Sequence, residues 1–169
     1  MLGVFHGGVT RGVLRAMMEW QPEEVVSLSG ELVACGLATA NPYGHLALNP
    51  ALCPYLRARL ADAERDELNR RWQVAMYAYV GFLIQQQSGD AAVAATLTGL
   101  ELPNLLALLE GVQGEGNAAA TIDLTTSLYS LLKNAGRPRL LERIGQARGE
   151  IWNHARCAAT IVRIEQQLA

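Results

Sequence analysis

The sequence has little lysine and no long apolar run, and each shortage argues against a class of protein. Lys133 is the only lysine among 14 basic residues, and 16 acidic residues give a formal net charge of −2. Such a balance provides no net field to hold a polyanion, so composition does not indicate a nucleic-acid partner. No run of about 18 apolar residues occurs, and His6 and Arg11 interrupt the apolar start. We therefore predict a cytoplasmic chain that binds no membrane.

Cysteines are also few, and the sequence lacks a phosphate-binding loop. Cys35, Cys53 and Cys157 are widely spaced in apolar surroundings, which favours reduced core thiols over a disulfide framework. Gly7 and Gly8 lie near the start, but no Gly-Lys-Ser/Thr sequence follows them. We interpret this glycine pair as a turn between helices.

Residues for metal binding or catalysis do not cluster along the sequence. His45 with Cys53, and His154 with Cys157, form two pairs, whereas a structural zinc site needs four ligands. No serine or histidine stands in a recognisable catalytic arrangement. The sequence predicts no catalytic residue, no metal site and no cofactor, and we do not expect an enzyme.

The first fifty residues predict two short helices and a hairpin. Thr10 can cap a helix that runs to about Glu19, and a second helix is predicted over Pro22–Gly36. The tetrad Asn-Pro-Tyr-Gly at 41–44 is a turn sequence between short extended runs, so we predict a hairpin over Leu37–Leu48. We expect these to be the only strands of the chain.

Beyond Pro50 the pattern is helical throughout. Apolar residues at helical spacing predict one buried face, with Trp72 in the core; they are Leu68, Trp72, Ala75, Met76, Tyr79 and Leu83. The opposite side is apolar as well, which predicts a helix buried on two sides; its residues are Val74, Tyr77, Ala78, Gly81 and Ile84.

Breaks in this pattern suggest repeated helical hairpins. Turns are predicted at Gly89 and at Gly136, and Pro103 interrupts the helix between them. The two turns lie further apart than the roughly 34 residues of a tetratricopeptide repeat. An insertion made of the Pro103 break and a loop over Gly111–Gly116 would explain the extra length.

The last predicted helix has no packing partner within the chain. If the chain is cut from a longer array, this exposed apolar face predicts a homodimer through the helix or a frayed end; its residues are Ile151, Ala155, Ala158 and Val162.

Four short segments resemble the winged-helix domain of STAND-class (NB-ARC-like) signalling ATPases. They are LGVF at 2–5, GGV at 7–9, LVACGL at 32–37 and LNPALCPYL at 48–56. The resemblance implies a mainly α fold: an incomplete winged helix with a small β-hairpin over residues 1–50. Tetratricopeptide-like antiparallel helical hairpins, an α-α superhelix truncated at its C-terminus, would follow over residues 51–169.

The resemblance also implies a function. It predicts a non-catalytic regulatory and protein-interaction segment, whose partners are an upstream nucleotide-binding domain and an unknown protein or peptide. Asn49 stands where the family commonly has a histidine that contacts the bound nucleotide. Asparagine can donate a hydrogen bond to a phosphate but cannot become cationic. The alternative is that Asn49 caps the helix that begins at Pro50.

A winged-helix transcription regulator with a helical dimerisation domain is the alternative function. The second helix would then enter the DNA major groove, yet it carries Glu23, Glu24 and Glu31 and no basic residue. This argues against nucleic acid as a partner.

An arginine group follows the predicted second turn. Arg137, Arg139 and Arg143 could bind an acidic peptide, or they could form a solvated helix face.

Overall fold

The computed structural model describes residues 1–133, 139–142, 144–146 and 149. They are mainly helical, with one small antiparallel sheet, as predicted. The chain divides into two compact units, Met1–Leu108 and Leu109–Ala169, and the predicted boundary at residue 50 falls inside the first. The elements are β1 (Gly8–Thr10), α1 (Arg11–Met18), α2 (Pro22–Ala34), β2 (Ala38–Ala40), β3 (His45–Leu48), α3 (Leu52–Arg57), α4 (Asp62–Gly89), α5 (Ala91–Leu100), α6 (Leu102–Gly114) and α7 (Ala118–Leu132).

The hairpin predicted over Leu37–Leu48 is confirmed. Strands β2 and β3 pair antiparallel, with Ala38 opposite Leu48. Their connection is a short 3-10 turn, Pro42–Gly44, in which Tyr43 has φ 58° and Gly44 has φ 71°. Glycine adopts this left-handed backbone without the steric cost that a side chain adds, which explains Gly44 in the tetrad.

The prediction that this hairpin contains all the strands is wrong. Strand β1 pairs with β3, with Gly8 opposite Ala47 and Thr10 opposite His45, and the sheet order is β1-β3-β2. Gly8 is therefore a strand residue and not part of a turn between helices. A three-residue strand has no alternation of its own, and its partner lies far along the chain, so nothing local indicated it.

Helices α1 and α2 follow the predicted pattern closely. Pro22 begins α2. The Gln21 N–H donates to the Glu24 carboxylate at 2.8 Å, so this backbone N–H at the start of the helix has an acceptor. Helix α1 packs against both α2 and α4. Its inward residues, Val13, Leu14 and Met17, are buried. Burial of this apolar stripe against α4 joins the sheet region to the longest helix.

The predicted buried face of α4 is confirmed, including Trp72, but burial on two sides is wrong. Val74 is 63% exposed and Tyr77 is 38% exposed, although Met76 between them and Leu83 further along the helix are fully buried. A folded surface is itself more than half apolar, so apolar residues on a second helix face do not require a partner.

Helix boundaries between α4 and α6 match the predicted breaks, with one correction. Asp90 caps α5 by accepting hydrogen bonds from the N–H groups of Ala92 and Val93, and α5 ends at Leu100, before Pro103. The predicted loop over Gly111–Gly116 is wrong because α6 continues to Gly114. A glycine inside a helix lowers its stability by only about 1 kcal/mol, which tertiary packing overcomes here.

The cysteine prediction holds in part. Cys53 is buried, whereas Cys35 is exposed at the end of α2. The apolar sequence neighbours of Cys35 do not place it in the core, because the chain changes direction at the following Gly36.

Helix α7 belongs to the second unit. Asn117 caps it by accepting from the Ala120 N–H at 3.1 Å, and one face is buried through Leu124, Leu128 and Leu131. The turn predicted at Gly136, the final helix with Ile151, Ala155, Ala158 and Val162, and the pair His154 and Cys157 lie outside the described residues. So does the predicted homodimer contact.

Candidate functional site

Asn49 lies on the surface between β3 and α3. Its Oδ1 accepts a hydrogen bond from the Ala51 N–H at 3.0 Å, and its own N–H donates to the Leu37 carbonyl at 2.8 Å. The side chain thus shapes the turn that leads into α3 and leaves its amide NH2 as a donor. It borders a cleft of about 360 Å³ shared with Arg57 and Pro103. A nucleotide contact at Asn49 remains a prediction.

The arginine group falls mainly outside the described residues, which exclude Arg137 and Arg143. Arg139 is helical and exposed. A peptide contact by these arginines therefore also remains a prediction.

The outward surface of α2 is acidic and apolar. Glu23 and Glu31 are exposed there, and the segment Pro22–Ala34 contains no lysine or arginine. Val26 is 55% exposed and Val33 is 41% exposed. This surface repels a polyanion but offers apolar contact to a protein.

A groove of about 450 Å³ separates this surface from the β2–β3 hairpin, and we call it the α2–wing groove. Its walls include Val26, Gly30 and Val33 on one side and Ala40 and Leu46 on the other. The exposed valines of α2 and the hairpin therefore border one groove, which Arg11 and Asn41 also line.

A buried polar network lies behind the sheet, and the sequence patterns did not indicate it. Glu101 and Asn104 are fully buried at the junction of α5 and α6. The Glu101 carboxylate accepts from the Thr10 N–H at 2.5 Å and from Asn104 Nδ2 at 2.7 Å. Asn104 Nδ2 also donates to the Gly8 carbonyl, and Asn104 Oδ1 accepts from the His6 N–H, both at 2.8 Å.

This network fixes β1 to the start of α6. Three of its hydrogen bonds join the side chains of Glu101 and Asn104 to backbone groups more than 90 positions away in the sequence. One signal was available in the sequence: Glu101 is the single charged residue between Asp90 and Glu110, and a charged residue in such mainly apolar surroundings needs buried partners.

Tyr79 extends the network towards solvent. Its hydroxyl lies 3.5 Å from Thr10 Oγ1. Burial raises the pKa of Tyr79 to about 12; the Thr10 hydrogen bond opposes this rise and the nearby Glu101 charge adds to it. Tyr79 is therefore a neutral hydroxyl donor at physiological pH.

His45 lies on β3, opposite Thr10 of β1. It is buried, and its Nδ1 lies 3.2 Å from Asn41 Nδ2. Burial lowers the pKa of His45, although Glu101 and the Leu100 carbonyl oppose this effect. Nε2 forms no hydrogen bond of standard geometry within the described residues. We assign His45 to packing against Gly8, where a Cβ would meet the imidazole ring within 3 Å.

A second groove, of about 630 Å³, lies between α1, α4 and α5, and we call it the α1–α4 groove. Thr10 and Tyr79, whose hydroxyls lie 3.5 Å apart, are both among its lining residues. Phe82 and Tyr43 provide aromatic walls, and Arg15 is its one charged lining residue. Apolar surface with a few polar groups is typical of small-molecule sites.

The described residues contain neither a metal-binding cluster nor a single helix that could span a membrane. No group of three or more histidine, cysteine or acidic side chains could hold a metal there. No single described helix is long and apolar enough to cross a membrane, and a bent pair formed by α5 and α6 passes by length and composition only.

Comparison of the chain with models of known protein families, with curated proteins and with solved structures returns no match.

Proposed function

We propose that this chain is a non-catalytic regulatory and protein-interaction segment of a larger STAND-type nucleotide-binding signalling protein. Residues 1–50 would form an incomplete winged helix, and residues 51–169 a region of helical hairpins. The observation that supports this most strongly is the sheet order β1-β3-β2, with α1 and α2 between β1 and β2. A winged helix has the same order of elements and places its third strand in the middle.

The chemistry of α2 supports a protein partner for this winged helix. A DNA-reading helix needs cations for the phosphates, because these contacts provide most of the affinity. Helix α2 instead presents Glu23 and Glu31 beside the exposed Val26 and Val33. In the proposed function, this surface and the α2–wing groove contact the nucleotide-binding domain.

The helical region agrees with the proposal in its pairing of helices and departs from it in length. Helices α4 and α5 pack against each other across the turn at Asp90. Helix α4 alone has 28 residues, most of the roughly 34 in a whole tetratricopeptide repeat. We therefore propose repeat-like hairpins of unequal helices.

A DNA-binding regulator is the second candidate. The exposed Val74 and Tyr77 of α4 favour it, because they would suit a dimerisation helix after the wing. The acidic α2 opposes it.

A DNA-binding measurement separates the two candidates. Fluorescence anisotropy with a labelled random duplex at about 50 mM salt is expected to show no saturation at micromolar protein, the range of non-specific binding. Micromolar affinity that weakens steeply with salt would instead favour the transcription regulator.

A second test concerns the parent protein. The reading frame 5′ to this chain is expected to encode Gly-x-x-x-x-Gly-Lys-Ser/Thr within about 200 to 300 residues, the length of roughly two domains. A frame without this motif would remove the STAND assignment.

Where the motif is present, the surface of α2 can be tested directly. The nucleotide-binding segment, expressed separately, is expected to co-purify with the chain. Val33→Glu should weaken this association at least about tenfold, since it places a charge in an apolar contact. Val74→Glu, an exposed valine on α4, is the matched control. Equal losses in both variants, or no loss in either, would exclude α2 as the contact.

A further inference from the structure

We propose that the α1–α4 groove binds a small aromatic carboxylate, with the ring system against the apolar walls and the carboxylate on Arg15. This site goes beyond the proposed protein-interaction role, because it lies between α1, α4 and α5 instead of on α2 and takes a different class of ligand.

Size and position favour a small molecule over a protein. The volume of about 630 Å³ lies within the roughly 300–1,000 Å³ typical of ligand pockets. All lining residues belong to the first compact unit, and most lie on helices α1, α4 and α5. A site on packed helices holds its shape more firmly than one on loops.

The walls suit a flat ring. Tyr79 and Phe82 lie with their ring centroids 5.7 Å apart at an angle of 31°. Phe82 is 45% exposed and Tyr43 is 54% exposed, so each has open ring surface. Val13 and Ala78 contribute to the lining beside them. An aromatic ligand gains both apolar burial and ring–ring contact here.

Two hydroxyls at one place in the groove have bonding capacity for a ligand. Tyr79 OH and Thr10 Oγ1 are 3.5 Å apart, well beyond the roughly 2.7–2.8 Å of a strong hydroxyl hydrogen bond. Tyr79 is protonated at neutral pH, as an ordinary tyrosine is, and burial raises its pKa further, to about 12. It can therefore donate to a carboxylate oxygen or another acceptor.

The charges of the groove select an anion. Arg15 lines it, and its lining residues include no aspartate or glutamate. The described ion pairs lie on α4 and involve Glu67 and Asp62, not Arg15. A guanidinium binds a carboxylate through paired hydrogen bonds, and the apolar residues beside Arg15 can contact a ring. Together they suit a carboxylate that is attached to a ring.

The test uses 2-naphthoate as the probe and isothermal titration calorimetry on the whole chain. Saturable one-to-one binding below about 1 mM is expected, given usual affinities per ligand atom. Gly12→Leu should abolish it: Gly12 lines the groove, and a Cβ there meets no atom within 4 Å, so the fold remains while the space is filled. Gly81→Leu on α4, equally open and exposed, is the control.

A charge comparison completes the experiment. Arg15→Gln is expected to weaken 2-naphthoate binding about tenfold, the effect of one charge-assisted hydrogen bond. It should leave methyl 2-naphthoate, the uncharged ester, nearly unaffected. Arg59→Gln removes a charge that stacks on Tyr55 and should change neither affinity. The proposal is overturned if 2-naphthoate shows no saturable binding, if Gly12→Leu binds as the wild type does, or if Arg15→Gln weakens acid and ester equally.

Discussion

Glu101 and Glu67 are both carboxylates with two or more hydrogen bonds, but their surroundings differ completely. Glu101 is fully buried and binds the backbone of Thr10 and the side chain of Asn104. Glu67 lies on the surface of α4 and binds Arg70 and Arg71, one turn away.

The difference shows how position decides what a carboxylate contributes. Water competes for the Glu67 pairs, and their partners are already held close by the helix, so they add little to the fold. Water does not reach Glu101. Loss of one partner there leaves a buried donor unpaired, and such a donor costs far more than a surface pair contributes.

Glu101→Ala is expected to have the largest effect. It leaves the Thr10 N–H and one Asn104 N–H without their acceptor and creates a small cavity, for a total loss of about 3–5 kcal/mol in the free energy of unfolding. Urea denaturation followed by circular dichroism measures this. Glu110→Ala, an exposed glutamate on α6, should change stability by less than about 0.5 kcal/mol. Similar losses in both variants would contradict the structural role of Glu101.

Asn104→Leu should lower the free energy of unfolding by somewhat less, about 2–3 kcal/mol. Glu101 keeps its hydrogen bond to Thr10, while the His6 N–H and the Gly8 carbonyl lose theirs. Hydrogen exchange gives a local readout, since the His6 amide should exchange faster. Asn69→Leu on the exposed side of α4 is the control. An unchanged exchange rate at His6 would show that this bond does not form in solution.

Tyr79→Phe tests the outer edge of the network through pH. The pKa of Tyr79 rises from 10.0 to about 12 on folding, so its contribution is complete below pH 10 and is lost as pH rises towards 12. The phenylalanine variant should have a free energy of unfolding about 1 kcal/mol lower at neutral pH. Its stability should also fall less steeply than that of the wild type between pH 10 and pH 12. Tyr129→Phe, at a 46% exposed position, should follow the wild-type curve. Parallel curves for wild type and Tyr79→Phe would refute this.

The same contrast explains what the sequence could and could not predict. The turn at 41–44, the helix break at Gly89 and the face containing Trp72 depend on neighbours within a few residues, and those predictions were correct. Strand β1 and the Glu101 bond to Thr10 join distant segments. A contact between such distant segments leaves no periodicity or spacing in the sequence from which it could be predicted.

Of the two proposed sites, the sequence indicated only the chemistry of one. The acidic character of α2 was visible, because it depends on composition alone. The α1–α4 groove was not, since Gly12, Phe82 and Arg15 meet only when α1 packs on α4.

Glu67→Gln is expected to have the smallest effect and thereby completes the contrast with Glu101. Hydrogen bonds from Arg70 and Arg71 lower the pKa of Glu67 to about 2. Its pairs are therefore intact above the ordinary glutamate range and are lost as pH falls from about 4.5 towards 2. Because the carboxylate lies at the surface, with 43% of its side chain exposed, melting temperatures of Glu67→Gln and wild type should agree within about 2 °C at pH 7, and 1 M salt should remove any remaining difference. A drop approaching that of Glu101→Ala would show that these surface pairs stabilise α4 and that burial is not what separates the two carboxylates.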